Sequence, residues 1–412
     1  MRKKEYLTKP NLSIKEYQVK DFPSITDYFI NVELKDREVL GKNITLKYIC
    51  SQVGGMLKAY NIDNRSFFYF KNKGLYELVN YSLKVLFYAS SQPLLTDVII
   101  NGEQDILVIE SSSAYNLTKK KTFNFPYGTC IAKYDGRIFV ANKKNIYYSN
   151  AFNFTEYSTD IKNEGFLSID DADVSIENLI SFNDCMYVVC KKAIYKLTIS
   201  GGQFSFNKLE IDHIDVLAGS AKNIGRNIYF ISKGSLYVFN GNECKVIKGE
   251  FDRFLRTAVG EASVIDGKYF IKIPMGDQNV LLVYDTFTGE NYYVWMDQLG
   301  TVGENGYVYM NKHTTLYQLD RNTNYQTFVW VSKELNLSTS NRKKLVELGL
   351  TVNKPMELTI EGDFGVKKFM LKEGINVLKE GLTSRWFKLR AQLRFPEFSI
   401  KDLIIKYRVL GG

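Results

Sequence analysis

The chain has 412 residues, of which 58 are aromatic (27 Phe, 28 Tyr, 3 Trp), and 45% are hydrophobic with only seven prolines. That composition excludes a disordered or collagen-like chain, and no apolar run approaches the roughly 18 residues a membrane-spanning helix needs. Of the formal net charge of +9, residues 326–412 hold +7, which leaves the remainder nearly neutral.

From the amino end, residues 1–40 are polar and irregular. They open basic, Met1-Arg2-Lys3-Lys4, but lack the apolar stretch and small-residue cleavage site of a secretory signal. The segment is expected to be an arm toward a neighbouring subunit or the strand that closes a ring of blades. Ile44 to Ile49 alternates as a strand should.

Seven segments then share one pattern: a short β-like run, a turn of Asn, Lys, Gly or Ser, and a second run centred on an apolar-Tyr pair. They begin near Asp63, Asn101, Gly136, Asn183, Gly225, Asp266 and Asn305, at spacings of 38, 35, 47, 42, 41 and 39 residues. A hairpin returning about every 40 residues has the period of a four-stranded propeller blade, and would supply its two best-patterned strands. The expected fold is therefore all-β, with a β-propeller of about seven blades over residues 41–325. A large sandwich of regular meanders is the competing arrangement. Residues 251–263, FDRFLRTAVGEAS, could form a short helix or an irregular strand.

After Asp320 the rhythm changes, and residues 326–412 read as six strands of a C-terminal β-sandwich. In Lys388-Leu389-Arg390-Ala391-Gln392-Leu393-Arg394 apolar and polar side chains take opposite faces, as on a sheet with one wet side.

The residues that carry chemistry are sparse. The two histidines, His213 and His313, lie in no nucleophile motif, and two imidazoles barely supply a zinc site. Neither phosphate-cradling glycine pattern is present. Five scattered cysteines without a CxxC pair suit reduced, mostly buried thiols. Cys185 and Cys190, five apart in one strand, point to opposite faces. Asp170, Asp171, Asp173 and Glu177 form an acidic loop without the spacing or glycine of a known calcium loop. Lys119-Lys120-Lys121 is read as a wet turn. No metal, no cofactor and no enzymatic activity are expected.

One stretch carries a resemblance: Tyr134-Asp135-Gly136-Arg137-Ile138-Phe139-Val140-Ala141-Asn142, running on through Ile146-Tyr147-Tyr148-Ser149 to Phe152-Asn153-Phe154. With Gly234 to Gly241, Leu282-Val283-Tyr284-Asp285, Thr288-Gly289, Trp295, Lys343-Lys344-Leu345 and Ile404 to Tyr407, its order resembles the β-propeller structural proteins of tailed bacteriophages. These are the tail nozzle or tubular proteins and the portal hub or stabilisation proteins. The resemblance covers most of residues 60–412. It implies a non-enzymatic virion component of the tail or neck, assembled in the bacterial host cytoplasm into a ring, a hexamer by analogy. The ring would form part of the DNA-ejection conduit beside portal, adaptor or other tail proteins. Transient passage of DNA follows from that role. The alternative is a carbohydrate- or receptor-binding propeller of a tail or cell-surface apparatus. For the ring, the candidate subunit interface is the basic set Lys388, Arg390 and Arg394 against the acidic set Asp170, Asp171 and Asp173, because a closed ring needs two different surfaces.

Overall fold

Asp63-Asn64, Asp135-Gly136, Asn183-Asp184 and Asp266-Gly267 all adopt positive φ, between 46° and 72°. A two-residue hairpin turn whose twist matches its strands needs positive φ at both positions, which Asn, Asp and Gly tolerate best. Each of these pairs joins the first and second strands of an antiparallel sheet of four strands in sequence, to which Phe166–Ser168 adds a short fifth in the sheet opened by Asp135-Gly136. The computed structural model of the protein describes residues 14–410 except 21–25, 31, 36–37, 42–44, 52–53, 72, 101–102, 158–164, 170–174, 201–202, 212, 248–251, 276–277, 290, 297–298, 311–313, 321–327, 338 and 394–398.

Seven such sheets follow one another over residues 56–87, 94–124, 130–157, 176–208, 222–247, 259–296 and 299–320. Their first strands are Met56–Ile62, Leu94–Ile100, Cys130–Tyr134, Ile176–Phe182, Lys222–Ile224, Val259–Ile265 and Leu299–Val302. Each first strand touches the next, and the seventh touches the first, so the strands close around a channel. This is a seven-bladed β-propeller. The expected hairpins are the second and third strands of the blades.

Blades press on both faces of their middle strands, which explains the unbroken apolar runs there. Phe67, Phe68 and Phe70 are fully buried, as are Leu281, Leu282 and Val283. Fourth strands face solvent and lose the pattern; Lys121–Asn124 and Cys244–Ile247 are almost wholly exposed or half-exposed. Cys185 packs with the cluster between blades four and five, and Cys190 with the one between three and four, on opposite faces of their strand.

The ring is closed by Thr45–Ser51, which hydrogen-bonds to the third strand of blade seven as its fourth strand. Ile49 from this strand joins Phe68, Phe70 and Tyr76 of blade one and Tyr307, Tyr309 and Leu316 of blade seven in one cluster. Phe70 stands edge-on to Tyr76 and Tyr309, with ring centroids 5.3 and 5.9 Å away. Thr301 Oγ1 donates to the Met56 carbonyl at 2.6 Å across the same seam.

The second compact unit comprises residues 1–45, 292–295 and 320–412. Its sandwich has a seven-stranded and a five-stranded sheet. Here the expectation for residues 1–40 is corrected: their described strands neither close the propeller nor extend as an arm. Ile14–Gln18 and Glu38–Gly41 pair with Ser399–Val409, and Thr26–Ile30 pairs with Phe328–Ser332. Partners hundreds of residues away leave no local signal, and Ile14–Gln18 is largely exposed. In the 251–263 stretch, one helical turn, Asp252–Leu255, precedes the strand Val259–Ile265.

Candidate functional site

The channel is where the propeller gathers charge. A cavity of about 430 Å³ lies among the first strands of blades one to six and Glu304. Four first strands carry a β-bulge: at Met56/Lys58, Ile176/Asn178, Val259/Ser263 and Leu299/Thr301. A bulge inserts extra residues on one strand and re-aims its side chains, and such irregularities concentrate at functional sites.

Two of these bulges, at Lys58 and around Glu261, together with Lys222 at the start of the blade-five first strand and Glu304 in the blade-seven turn, deliver one ionic cluster. Lys58 Nζ of blade one lies 2.8 Å from Glu261 Oε1 of blade six. Lys222 of blade five reaches both Glu261, at 3.9 Å, and Glu304 at the blade-seven turn, at 3.8 Å. Glu304 Oε2 also accepts the Asn61 amide at 3.0 Å. Two positive and two negative groups thus cancel, and the chain of pairs spans from blade one to blades five, six and seven. Gly219, at φ +74°, permits the approach: a Cβ there would meet Glu261 Cγ at 2.8 Å.

Burial opposes ionisation of Glu261, but Lys58 and Lys222 outweigh it and hold the carboxyl below its ordinary value. Tyr60, beneath Lys58, donates its hydroxyl to the Pro93 carbonyl. Burial first, then Glu261 and Glu304, push its phenol well above the usual range. Burial raises the Cys130 thiol to about 12 against the pull of Lys58. A thiol so protonated is a poor nucleophile. Cys130 is therefore expected to resist iodoacetamide in the folded protein at pH 8 and to react once denatured, as read by mass spectrometry of the alkylated peptide. Equal labelling rates in both states would contradict the buried placement.

Lys388 and Arg390 stand on the strand Lys388–Leu393 of the five-stranded sheet. Lys388 lies opposite Glu361, Arg390 opposite Thr359, and Gln392 opposite Glu357, which Lys368 engages at 2.9 Å. The two cations therefore sit in a face of mixed sign, where opposite charges across strands stabilise the sheet itself. Arg394, Asp170, Asp171, Asp173 and His313 lie outside the described residues. Glu177 belongs to the first strand of blade four and lines the channel, not an acidic loop. His213 is exposed in the linker after blade four. Lys119 and Lys120 form the turn between the third and fourth strands of blade two.

Local motifs missed the channel cluster because its members are scattered from Lys58 to Glu304. One signal existed. Lys58, Cys130, Asn178 and Glu261 each stand five residues before the first residue of their blade's hairpin turn, Asp63, Asp135, Asn183 and Asp266. Superposing the repeats on those turns brings all four to the channel.

No family model matches the chain, and no curated protein does. Among solved structures, it is similar to an extracellular domain from B. thetaiotaomicron, described as part of a one-component system, at 12% identity over 82% of this chain and 48% of that one, with a TM-score of 0.47. The WD40 domain of Neurospora crassa Pan2 aligns at 10% identity over 69% of this chain and 97% of that domain, with a TM-score of 0.48. PorZ, a bacterial surface component of the type-IX secretion system of Porphyromonas gingivalis, aligns at 9% identity over 79% of this chain and 46% of that one, with a TM-score of 0.43. The chain spans about half the length of the first and third of these.

Proposed function

We propose that the protein is a non-enzymatic structural component of a bacteriophage tail or neck, working in a ring of identical copies that surrounds the conduit for DNA. The phage assignment is carried by the resemblance of the hairpins around 134–157 and 234–241. The observation that supports a structural role is the channel: Lys58, Lys222, Glu261 and Glu304 are spent on one another, bridging blade one to blades five, six and seven. A propeller pinned across its own axis is a rigid disc. Any conduit must then run between copies, not through the propeller, and six copies follow from the family analogy.

A receptor- or carbohydrate-binding propeller is the second reading. It is favoured by Tyr81, Phe152 and Phe287, exposed by 63%, 81% and 83% at the turns between third and fourth strands of blades one, three and six. Exposed rings of this kind can stack on sugars as they do on other flat apolar faces.

Cryo-electron microscopy of purified particles separates the two. A closed ring of copies coaxial with the neck or tail is expected. A single copy, or copies scattered along peripheral fibres, would defeat the ring and favour the receptor reading.

A further inference from the structure

On one side of the sandwich unit, both sheets end in a strand that pairs with a single neighbour. Gly365–Leu371 ends the five-stranded sheet against Met356–Gly362, and Gly374–Leu378 ends the seven-stranded sheet against Lys343–Val352. Among the described residues eighteen large hydrophobic side chains are exposed, and five of them crowd into 364–377: Phe364, Val366, Met370, Ile375 and Val377.

An open edge presents a row of main-chain donors and acceptors to any passing strand, and natural sheets blunt it with lysine, proline or a bulge. Gly365–Leu371 is blunted in this way by Lys367 and Lys368. Gly374–Leu378 is not. Its sequence, Gly-Ile-Asn-Val-Leu, holds no charge and no proline, and its register against Lys343–Val352 runs without a bulge. Ile375 and Val377 share a face and are exposed by 81% and 49%. Between them Asn376 fixes the entry to the strand, its side chain accepting from the Lys372 amide at 2.9 Å and donating to the Lys372 carbonyl at 2.7 Å.

The flanks specify what fits this edge. Residues 372–380 read Lys-Glu-Gly-Ile-Asn-Val-Leu-Lys-Glu. Laid antiparallel on an identical segment with Asn376 opposite Asn376, Ile375 meets Val377, Lys372 meets Glu380 and Glu373 meets Lys379, each pair twice by symmetry. Opposite charges facing each other across strands stabilise a pair and like charges destabilise it. A slip of one residue either way sets Lys372 against Lys379, or Glu373 against Glu380, so the charges select one register. All four charged residues are exposed. Within the chain Glu380 pairs with Lys367, and Lys379 lies 3.9 Å from Glu347, which Lys406 holds more closely at 2.8 Å. Exposed pairs of this kind are weakly held, which leaves these side chains able to turn to a second copy.

We propose that two copies of this chain associate about a two-fold axis at Asn376, joining their seven-stranded sheets edge to edge along Gly374–Leu378. The contact is self-complementary, as an isologous interface must be. It goes beyond the ring proposed above, which needs two different surfaces on each copy; a closed ring in the particle neither requires this contact nor excludes it.

Sedimentation equilibrium of the full chain in solution tests this. The segment is short beside the roughly 20–30 residues a side of a standard interface, so a weak dimer is expected, forming as concentration rises from about 1 to 200 μM. Lys372→Glu/Lys379→Glu sets acid against acid across the axis, and Glu373→Lys/Glu380→Lys sets base against base. Each should weaken association by about tenfold or more. Mixed one to one, the two variants oppose acid to base at every place and should dimerise again. Ile375→Lys/Val377→Lys should stay monomeric. The altered side chains are exposed, so unchanged circular dichroism and melting are expected of all three variants. The inference is overturned by a chain that is monomeric throughout the range, or by self-association that none of the variants weakens. It is equally overturned if the mixed variants fail to recover what each has lost.

Discussion

Replacing Phe70 by alanine is expected to destabilise the propeller by about 3–5 kcal/mol, the range for truncating a buried aromatic ring in a packed core. The effect should be near the top of that range because of where Phe70 lies. Its ring has no exposed surface and meets Tyr76 in its own blade and Tyr309 across the seam that closes the circle. Edge-to-face pairs add about 0.5–1.5 kcal/mol beyond the area they bury. The neighbours cannot collapse into the hole easily, since Tyr309 is tethered through its hydroxyl to the Gly54 carbonyl. Chemical denaturation reads the loss, provided the two units are followed separately. Trp330 and Trp386 belong to the sandwich unit, whereas Trp295 stands on the fourth strand of blade six, so tryptophan fluorescence is followed in a Trp295→Phe background, where it reports the sandwich unit. Near-UV circular dichroism is dominated by the many tyrosines of the propeller. A lowered midpoint in the tyrosine signal with an unchanged tryptophan transition is the expected result. A loss under about 1 kcal/mol would mean the blade-one to blade-seven seam is not packed as described.

The second large effect is expected from Glu261→Gln, which keeps shape and removes charge. Lys58 would lose its carboxylate at 2.8 Å, and Lys222 would retain only Glu304. Removing one partner of a fully buried pair costs about 3–5 kcal/mol. With 29% of the Glu261 side chain still exposed, water screens part of that, and about 2–3 kcal/mol is expected at neutral pH. The dependence on pH has a definite sign. Because the folded protein holds this carboxyl below its ordinary value of 4.5, its ionised form stabilises the fold above that pH and the contribution fades as acid protonates it. The gap between the unaltered protein and Glu261→Gln should therefore be widest at neutral pH and shrink below about pH 4. A gap that widens in acid, or is constant from neutral pH to pH 3, would show that the charge on Glu261 is not what holds the channel.

The propeller was legible because its middle strands are buried on both faces and its hairpin turns demand positive φ. Runs such as Arg137–Asn142 with Asn145–Asn150, set off by Asp135-Gly136 and Lys143-Lys144, carry their fold in adjacent residues. The first and fourth strands carry much less. Ile176–Phe182 must satisfy a polar channel on one side and a core on the other, and a bulge at Glu177 breaks its alternation. The amino-terminal strands were unreadable for a different reason: Ile14–Gln18 gains its meaning only beside Ser399–Val409. The same holds for the channel cluster, whose pairs join residues such as Lys58 and Glu261 that no window of sequence contains together.

The pairing of Ile14–Gln18 and Glu38–Gly41 with Ser399–Val409 makes the propeller an insertion within the sandwich, and that imposes an order of events during synthesis. Ile14–Gln18 leaves the ribosome about 380 residues before Ser399–Val409, the strand that receives it, does. At about 5–20 residues per second the delay is roughly 20–80 s. Blades two to six need nothing beyond themselves and their neighbours, so they can mature while the amino-terminal segment still lacks its partner. The sandwich is thus completed only after the blades. A ribosome that stops before Ser399 would release a ring of finished blades whose second unit lacks the strand on which Ile14–Gln18, Glu38–Gly41 and Lys343–Val352 all converge.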